Sequence, residues 1–221
     1  VVIMSKKDRR KGLDSIFEFK ACSGVKRNCP NVILNAEELL LKLKEIVEEE
    51  GLEKELKSGY KGPILPHFKF KVGIAGCPNG CSRPQIMDLS LLARVRPEVV
   101  DEECIGCQKC IEACKEEAIE LQDEIAVVDY EKCLDCGDCI KACPVDAIEK
   151  VKEGWSFGIG GKLGRHPQFA TKLVDLMGAE EVIDKFVRLI KFYQEERKGR
   201  EKLAVVLNRL GEVKVRQELD I

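Results

Sequence analysis

The chain has 221 residues, 44% of them hydrophobic and 34% charged, with a formal charge of −2. That length suits one large or two small domains, and the balanced charge leaves no basic excess that would call for nucleic acid. No stretch approaches the roughly 18 apolar residues of a membrane span, so no membrane partner is expected.

The N-terminus, "VVIMSKKDRRKG", puts four apolar residues before a basic run. A secretory signal has the opposite order, so a cytoplasmic location is expected. Lys6, Lys7, Arg9, Arg10 and Lys11 are read as a solvated end. Twelve cysteines in such a chain argue for metal centres over disulfides.

Cys22 and Cys29 come first, in "FKACSGVKRNCPN". Asn35 then caps a predicted helix whose buried face is Leu39, Leu40, Leu43, Ile46 and Val47. The acidic run "EEEGLEKE" that closes this region is read as a solvated helix face. Residues 68–76, "FKFKVGIAG", alternate Phe68, Phe70, Val72 and Ile74, which predicts a half-buried strand. The strand delivers Cys77 and Cys81 in the loop "GCPNGCSRP". Their spacing is too wide for a C-x-x-C redox pair. Helix and strand would bring the two loops together, making one four-cysteine site from two distant hooks. That site suits a third [4Fe–4S] cluster or zinc, and the cysteines that follow favour iron–sulfur.

Residues 104–120, "CIGCQKCIEACKEEAIE", recur at 133–149 as "CLDCGDCIKACPVDAIE". The offset is 29 residues, and nine of seventeen positions are identical. Each half reads C-x2-C-x2-C-x3-C, the pattern of two-cluster bacterial ferredoxins, in which the fourth cysteine serves the other cluster. Cys104, Cys107, Cys110 and Cys143 are therefore expected to hold one [4Fe–4S] cluster, and Cys133, Cys136, Cys139 and Cys114 the second. Zinc prefers well-separated C-x-x-C hooks, often with His, and fits this repeat poorly. Pro144 follows Cys143, but Lys115 follows Cys114. Proline supplies no ligand there, so the cluster is expected to survive. Residues 125–129 read as a short strand between the two halves.

The last third opens on "WSFGIGGKLGRHPQFA" at 155–170. Its glycines match neither a dinucleotide nor a P-loop fingerprint. His67 and His166 stand next to prolines and are read as turn residues. Trp155 and the phenylalanines are read as core. No Ser-His-Asp or Cys-His constellation is visible, and no catalytic side chain is assigned.

The loop "GCPNGCSRP" resembles the cluster loop of the sulfite and nitrite reductase family, which binds sirohaem. Residues 155–170 resemble the glycine-rich strand and turn that follow it, and residues 180–211 resemble the closing helices. Ferredoxin modules inserted after the C-x3-C loop occur in dissimilatory-type and small sulfite reductases. The resemblance covers the chain from about residue 17. It implies an α+β sirohaem/[4Fe–4S] domain formed by residues 1–100 and 151–221, with a two-cluster ferredoxin inserted at 101–150.

The resemblance further implies that Cys22, Cys29, Cys77 and Cys81 hold the third cluster, and that Cys81 is shared with the sirohaem iron. Sirohaem carries many carboxylates, for which Arg83, Lys162 and Arg165 are the expected cations. Asn79 is an expected donor, and Gly158, Gly160, Gly161 and Gly164 would let backbone approach. The implied activity is reduction of sulfite, or of nitrite, by low-potential electrons from a donor protein. Oxygen sensitivity is expected. The first hook is C-x6-C where C-x5-C is commoner in the family. Only about 20 residues precede Cys22, where full-length members carry a further half-domain with substrate cations. A partner subunit or a second copy would then complete the pocket. The rival reading is an iron–sulfur electron-transfer protein whose flanking domain has no reductase activity.

Overall fold

The computed structural model describes residues 15–58, 60 and 63–221. The basic run at 6–11 lies outside the described residues.

A five-stranded mixed sheet organises the chain. Its strands are β1 (Phe17–Ala21), β2 (Phe70–Ala75), β3 (Leu89–Val99), β6 (Ile148–Ile159) and β7 (Thr171–Met177), side by side in that order. β1, β2 and β3 run parallel, and β6 and β7 are antiparallel to their neighbours. Five further helices pack with the sheet: α1 (Ala36–Glu49), α2 (Leu52–Ser58), α5 (Ala179–Glu196), α6 (Leu203–Leu210) and α7 (Glu212–Leu219). The sheet mixes parallel and antiparallel pairs, with one helical crossover between β1 and β2 and the last three helices in a single run, a mixed α+β fold.

α1 starts where Asn35 accepts a hydrogen bond from the Glu37 backbone N–H, and Glu37 and Glu38 favour the positive end of the helix. Leu39, Leu43 and Val47 form its buried stripe, while Leu40 and Ile46 pack at the margin. Burying a leucine as completely as Leu43 contributes about 2 kcal/mol. Beside α1 and α2, α5 buries Phe186 in the same core, and its ring meets Phe17 edge-on at 6.1 Å.

Two expectations need correction. The predicted strand 68–76 begins at Phe70, because Pro66 starts a 3₁₀ turn that holds His67 and Phe68. The strand is also buried on both faces, since β1 and β3 flank it and Gly73 lies under Pro84 and Met87. The second concerns the phenylalanines. Phe157 and Trp155 are core, but Phe169 is 76% exposed on the turn beyond β6.

Between the far ends of β3 and β6 lies a cysteine-rich unit, residues 100–147. It contains α3 (Lys109–Ala113), the β4–β5 hairpin (Ile119–Gln122 and Ile125–Val128) and α4 (Asp138–Ala142). Its apolar cluster is separate from the main core. The β3–β6 ladder runs from Leu89–Ile159 to Val99–Ile148 and carries the unit at its tip.

Candidate functional site

The 29-residue repeat is written into the backbone as well as the sequence. α3 and α4 occupy equivalent places, and left-handed residues recur at 106 and 135, 108 and 137, and 117 and 146. Only two of these six are glycine, so the chain accepts roughly 1–3 kcal/mol of strain at several turns to wrap inward. What it wraps are two hollows, each lined by four cysteines. Cys104, Cys107, Cys110 and Cys143 line the first, with Leu121 and Ile148. Cys133, Cys136, Cys139 and Cys114 line the second, with Pro97 and Ile119. Each hollow is thus lined by three cysteines of one half and the fourth of the other.

Backbone N–H groups point at these sulfurs: Ala118 at Cys114 (3.3 Å), Asp135 at Cys133 (3.3 Å) and Ala126 at Cys104 (3.5 Å). Burial acts in the other direction. It pushes the Cys139 thiol up to about 12, with Cys136 and Cys133 adding to the effect, and it raises Cys110, Cys133 and Cys136. Buried thiols with such values stay protonated at neutral pH unless a cation replaces the proton. An iron–sulfur cluster supplies that positive charge, so the donor set fits one.

The remaining four cysteines sit beyond the C-terminal ends of β1 and β2, the same end of the sheet from which β3 leads into the cysteine-rich unit. Cys22 follows β1, and its N–H donates to the Ile74 carbonyl (2.9 Å). The Gly76 N–H donates to Cys22 Sγ at 3.1 Å. Gly76 is required there: a Cβ would stand 2.6 Å from the Leu34 carbonyl oxygen and 3.4 Å from that sulfur. Cys77 is buried and Cys81 exposed. Burial raises the Cys77 thiol, and Cys81, Cys22 and Cys29 each add to the rise through their charge. The two hooks are therefore together. Among the described residues, no three Cys, His, Asp or Glu side chains gather round a point that would hold a single metal ion.

The cysteine-rich unit is fastened to this end of the sheet. Arg96 grips buried Asp135 with two contacts, at 2.7 and 3.0 Å, and stacks over Tyr130. The Val95 N–H donates to the Asp135 carbonyl (2.8 Å), and Arg94 to the Leu134 carbonyl. On α4, Lys141 Nζ donates to the Pro30 carbonyl, next to Cys29 (3.0 Å).

Beside the Cys77–Cys81 loop opens a cleft of about 590 Å³. Lys20, Lys71, Arg83, Lys162 and Lys202 line it, against Glu18 and Asp88. Arg83 and Lys162, named from the sequence, are therefore both at the cleft. Asn79, Arg165 and Cys81 are outside its lining, and Arg165 and His166 are exposed on the turn between residues 160 and 170. That turn is held against the segment after the Cys77–Cys81 loop by bonds from the Ala170 N–H to Gln85 O (2.7 Å) and from the Gly160 N–H to Asp88 O (2.8 Å). Gly161 makes the approach: a Cβ would stand 2.6 Å from the carbonyls of Gln85 and Met87. His67, read as a turn residue, is in its turn and also lines the cleft.

Sequence reasoning missed the pair at the cleft floor. Asp88 is 1% exposed and accepts from Lys202 Nζ (2.8 Å) and the Lys71 N–H (2.9 Å), while its Oδ1 has no partner. Burial holds its carboxyl above the usual range, and Lys202 pulls the other way. A lone acid in the apolar run "QIMDLSLL" was a usable signal for Asp88. Lys202, 114 residues further on, offered none.

Comparison with known proteins bears on this arrangement. Residues 14–221 match the family described as nitrite and sulphite reductase 4Fe-4S domain. A curated relative, coenzyme F420-dependent sulfite reductase of Methanocaldococcus jannaschii, is 42% identical over 176 residues. That alignment covers 79% of this chain and 28% of the relative, so the chain spans about a quarter of its length. Among solved structures, dissimilatory sulfite reductase I (DsrI) superposes with a TM-score of 0.58 at 19% identity, covering 91% of this chain and 51% of that one. The Mycobacterium tuberculosis NirA protein gives 0.51 at 20% identity, covering 95% and 30%. These two show a shared fold. No helix among the described residues is long and apolar enough to cross a membrane. The chain belongs to the nitrite and sulphite reductase 4Fe-4S domain family.

Proposed function

We propose that this family member is the cluster-bearing and sirohaem-bearing part of a sulfite reductase, with nitrite as the alternative anion. Residues 101–150 act as a two-cluster ferredoxin module. Cys104, Cys107, Cys110 and Cys143 hold one [4Fe–4S] cluster, and Cys133, Cys136, Cys139 and Cys114 hold the other. Cys22, Cys29, Cys77 and Cys81 hold a third. The observation that carries the reading is the position of that third thiol set, one loop away from a large cleft lined by five cations.

Sirohaem, when bound, supplies the multi-electron chemistry at its iron. The chain's own residues do the rest. Arg83, Lys162 and Lys71 offer charge-assisted contacts to carboxylates or to an oxyanion. Asp88 holds Lys202 at the floor, where its ammonium faces the cleft as a fixed positive charge. Asn79, Cys81 and Arg165 are assigned to the cofactor from the family resemblance alone. The Arg96–Asp135 clamp and the Lys141–Pro30 bond keep the module close to the third thiol set. A donor protein supplies the electrons, and a partner subunit or second copy completes the cleft.

The test is an anaerobic visible spectrum with iron counted per chain, from a host able to make sirohaem. About thirteen irons with sirohaem bands support the reading, and sulfite turnover then exceeds nitrite turnover. About twelve irons without haem bands point to an electron-transfer protein instead. About eight remove the third cluster.

A further inference from the structure

The two parts of the chain carry opposite charge. Residues 100–147 hold fourteen Asp and Glu against four Lys and no Arg, a net charge of −10, which leaves +8 on the rest of the chain. Within the acidic unit the two hollows are not equivalent. The Cys133 hollow is the inner one: Pro97 of β3 lines it, and its loop is fastened to Val95 and Arg96. The Cys104 hollow is lined by the unit itself and by Ile148 at the start of β6. Its mouth is exposed at Cys107, with Ile105 63% and Val145 39% exposed beside it. Exposed acids surround this apolar centre. Asp101, Glu102 and Glu103 lead into Cys104, Glu124 lies against Gly106, and Asp146 follows Val145.

We propose that the Ile105–Cys107–Val145 face is the electron-input surface. It docks a redox protein that presents a Lys/Arg rim around an apolar contact patch. The inference rests on the reading that the Cys104 hollow holds a cluster. In the docked pair, one electron leaves the partner's reduced centre, which is oxidised, and reduces that cluster; no bond forms or breaks. Apolar contact at the centre lets the two redox centres approach, while the acidic rim raises the rate of encounter with a basic partner and orients it. Electrons then move inward to the Cys133 cluster.

The experiment uses ferric cytochrome c as a basic redox probe and rubredoxin as an acidic one. Each is mixed in a stopped-flow instrument with dithionite-reduced, desalted chain. The expected second-order rate with cytochrome c falls at least about tenfold as salt rises from about 10 to about 300 mM, and the rate with rubredoxin does not. The triple variant Glu103→Lys, Glu124→Lys, Asp146→Lys is expected to lose at least about tenfold at low salt. Glu103→Lys alone is expected to lose about threefold, which covers a triple variant that assembles poorly. Glu49→Lys, at the C-terminal end of α1, adds the same change of charge on a distant face where a cation suits the helix, and is expected to match wild type. Equal rates for triple variant and wild type, or an equal loss in Glu49→Lys, overturn the docking surface. So does a wild-type dimer that the triple variant dissolves, because the acidic face would then be occupied by the basic part of a second copy. Iron content separates the two levels: a wild-type chain without the Cys104 cluster overturns the functional reading itself.

Discussion

The cysteine-rich unit and the main sheet solve the same problem by different means. The sheet is held by a large apolar core, with Phe157, Phe186, Leu43 and Leu91 all out of contact with water. The apolar cluster of the unit has five buried residues, and two of them, Cys110 and Cys139, are thiols. So small a core does not offset the chain entropy of nearly fifty residues. Its net charge of −10 works against compaction as well. The comparison teaches that one region is folded by hydrophobic burial, while the other has too little of it and, on the function proposed above, is folded by what its cysteines bind. The greatest expected effect follows from this. Removing iron anaerobically with a chelator should unfold residues 104–147 and leave the sheet intact. Hydrogen exchange is the measurement: amides of β4, β5, α3 and α4 should lose protection, while β2 and the Leu89–Ala93 part of β3 keep it. Retained protection in the hairpin would mean that the unit folds without metal.

The reverse experiment targets the core. Phe186→Ala should cost about 3–5 kcal/mol, because the residue is fully buried and packs against Phe17. The loss should appear in denaturant midpoints followed by far-UV circular dichroism. Cluster content of the folded protein should not change. A parallel loss of iron would show that the two regions are not separable.

The same contrast explains what was legible in the sequence. The grouping of the unit's thiols round two hollows could be read because all eight lie within forty residues and belong to one repeat. The backbone then follows the pattern, down to the left-handed residues at equal offsets. The third thiol set was legible as two hooks, and β2 leads into Cys77 as expected, although it is buried on both faces where its alternation suggested one. The cleft was only half legible. Arg83 and Lys162 stand beside motifs, but Lys20, Lys71 and Lys202 come from β1, β2 and the start of α6, where a lysine looks like any surface lysine. Side-chain convergence of that kind is set by sheet order, which no local spacing records. Phe169 failed for a related reason: its apolarity suggested core, while the Lys162–Gln168 bridge turns it outward.

The junction between the regions can be weakened by Arg96→Ala. Asp135 is 2% exposed and would be left in place without its guanidinium partner. Breaking a fully buried pair costs about 3–5 kcal/mol; with Arg96 partly in water, about 2 kcal/mol is expected here. The consequence should be confined to docking of the unit. Limited proteolysis should cut near residues 130–136 faster, with the midpoint of sheet unfolding little changed. Arg96→Lys keeps the charge but not the two-point grip, and should restore only part of the protection.

The smallest effect lies at the cleft floor and is best seen as a pH dependence. Burial raises the Asp88 carboxyl above its unfolded value. Between the unfolded and folded values the native state therefore binds more proton than the unfolded chain. Stability must fall as pH rises through that window, which begins at the ordinary carboxylate range and extends upward. Asp88→Asn removes the titrating group while keeping an acceptor for Lys202 and the Lys71 N–H. Its unfolding midpoint should lack that part of the slope, so that wild type and variant diverge most where Asp88 is ionised. Parallel curves across the window would mean that the pair with Lys202 holds Asp88 ionised throughout, and that the cleft floor carries a permanent ion pair.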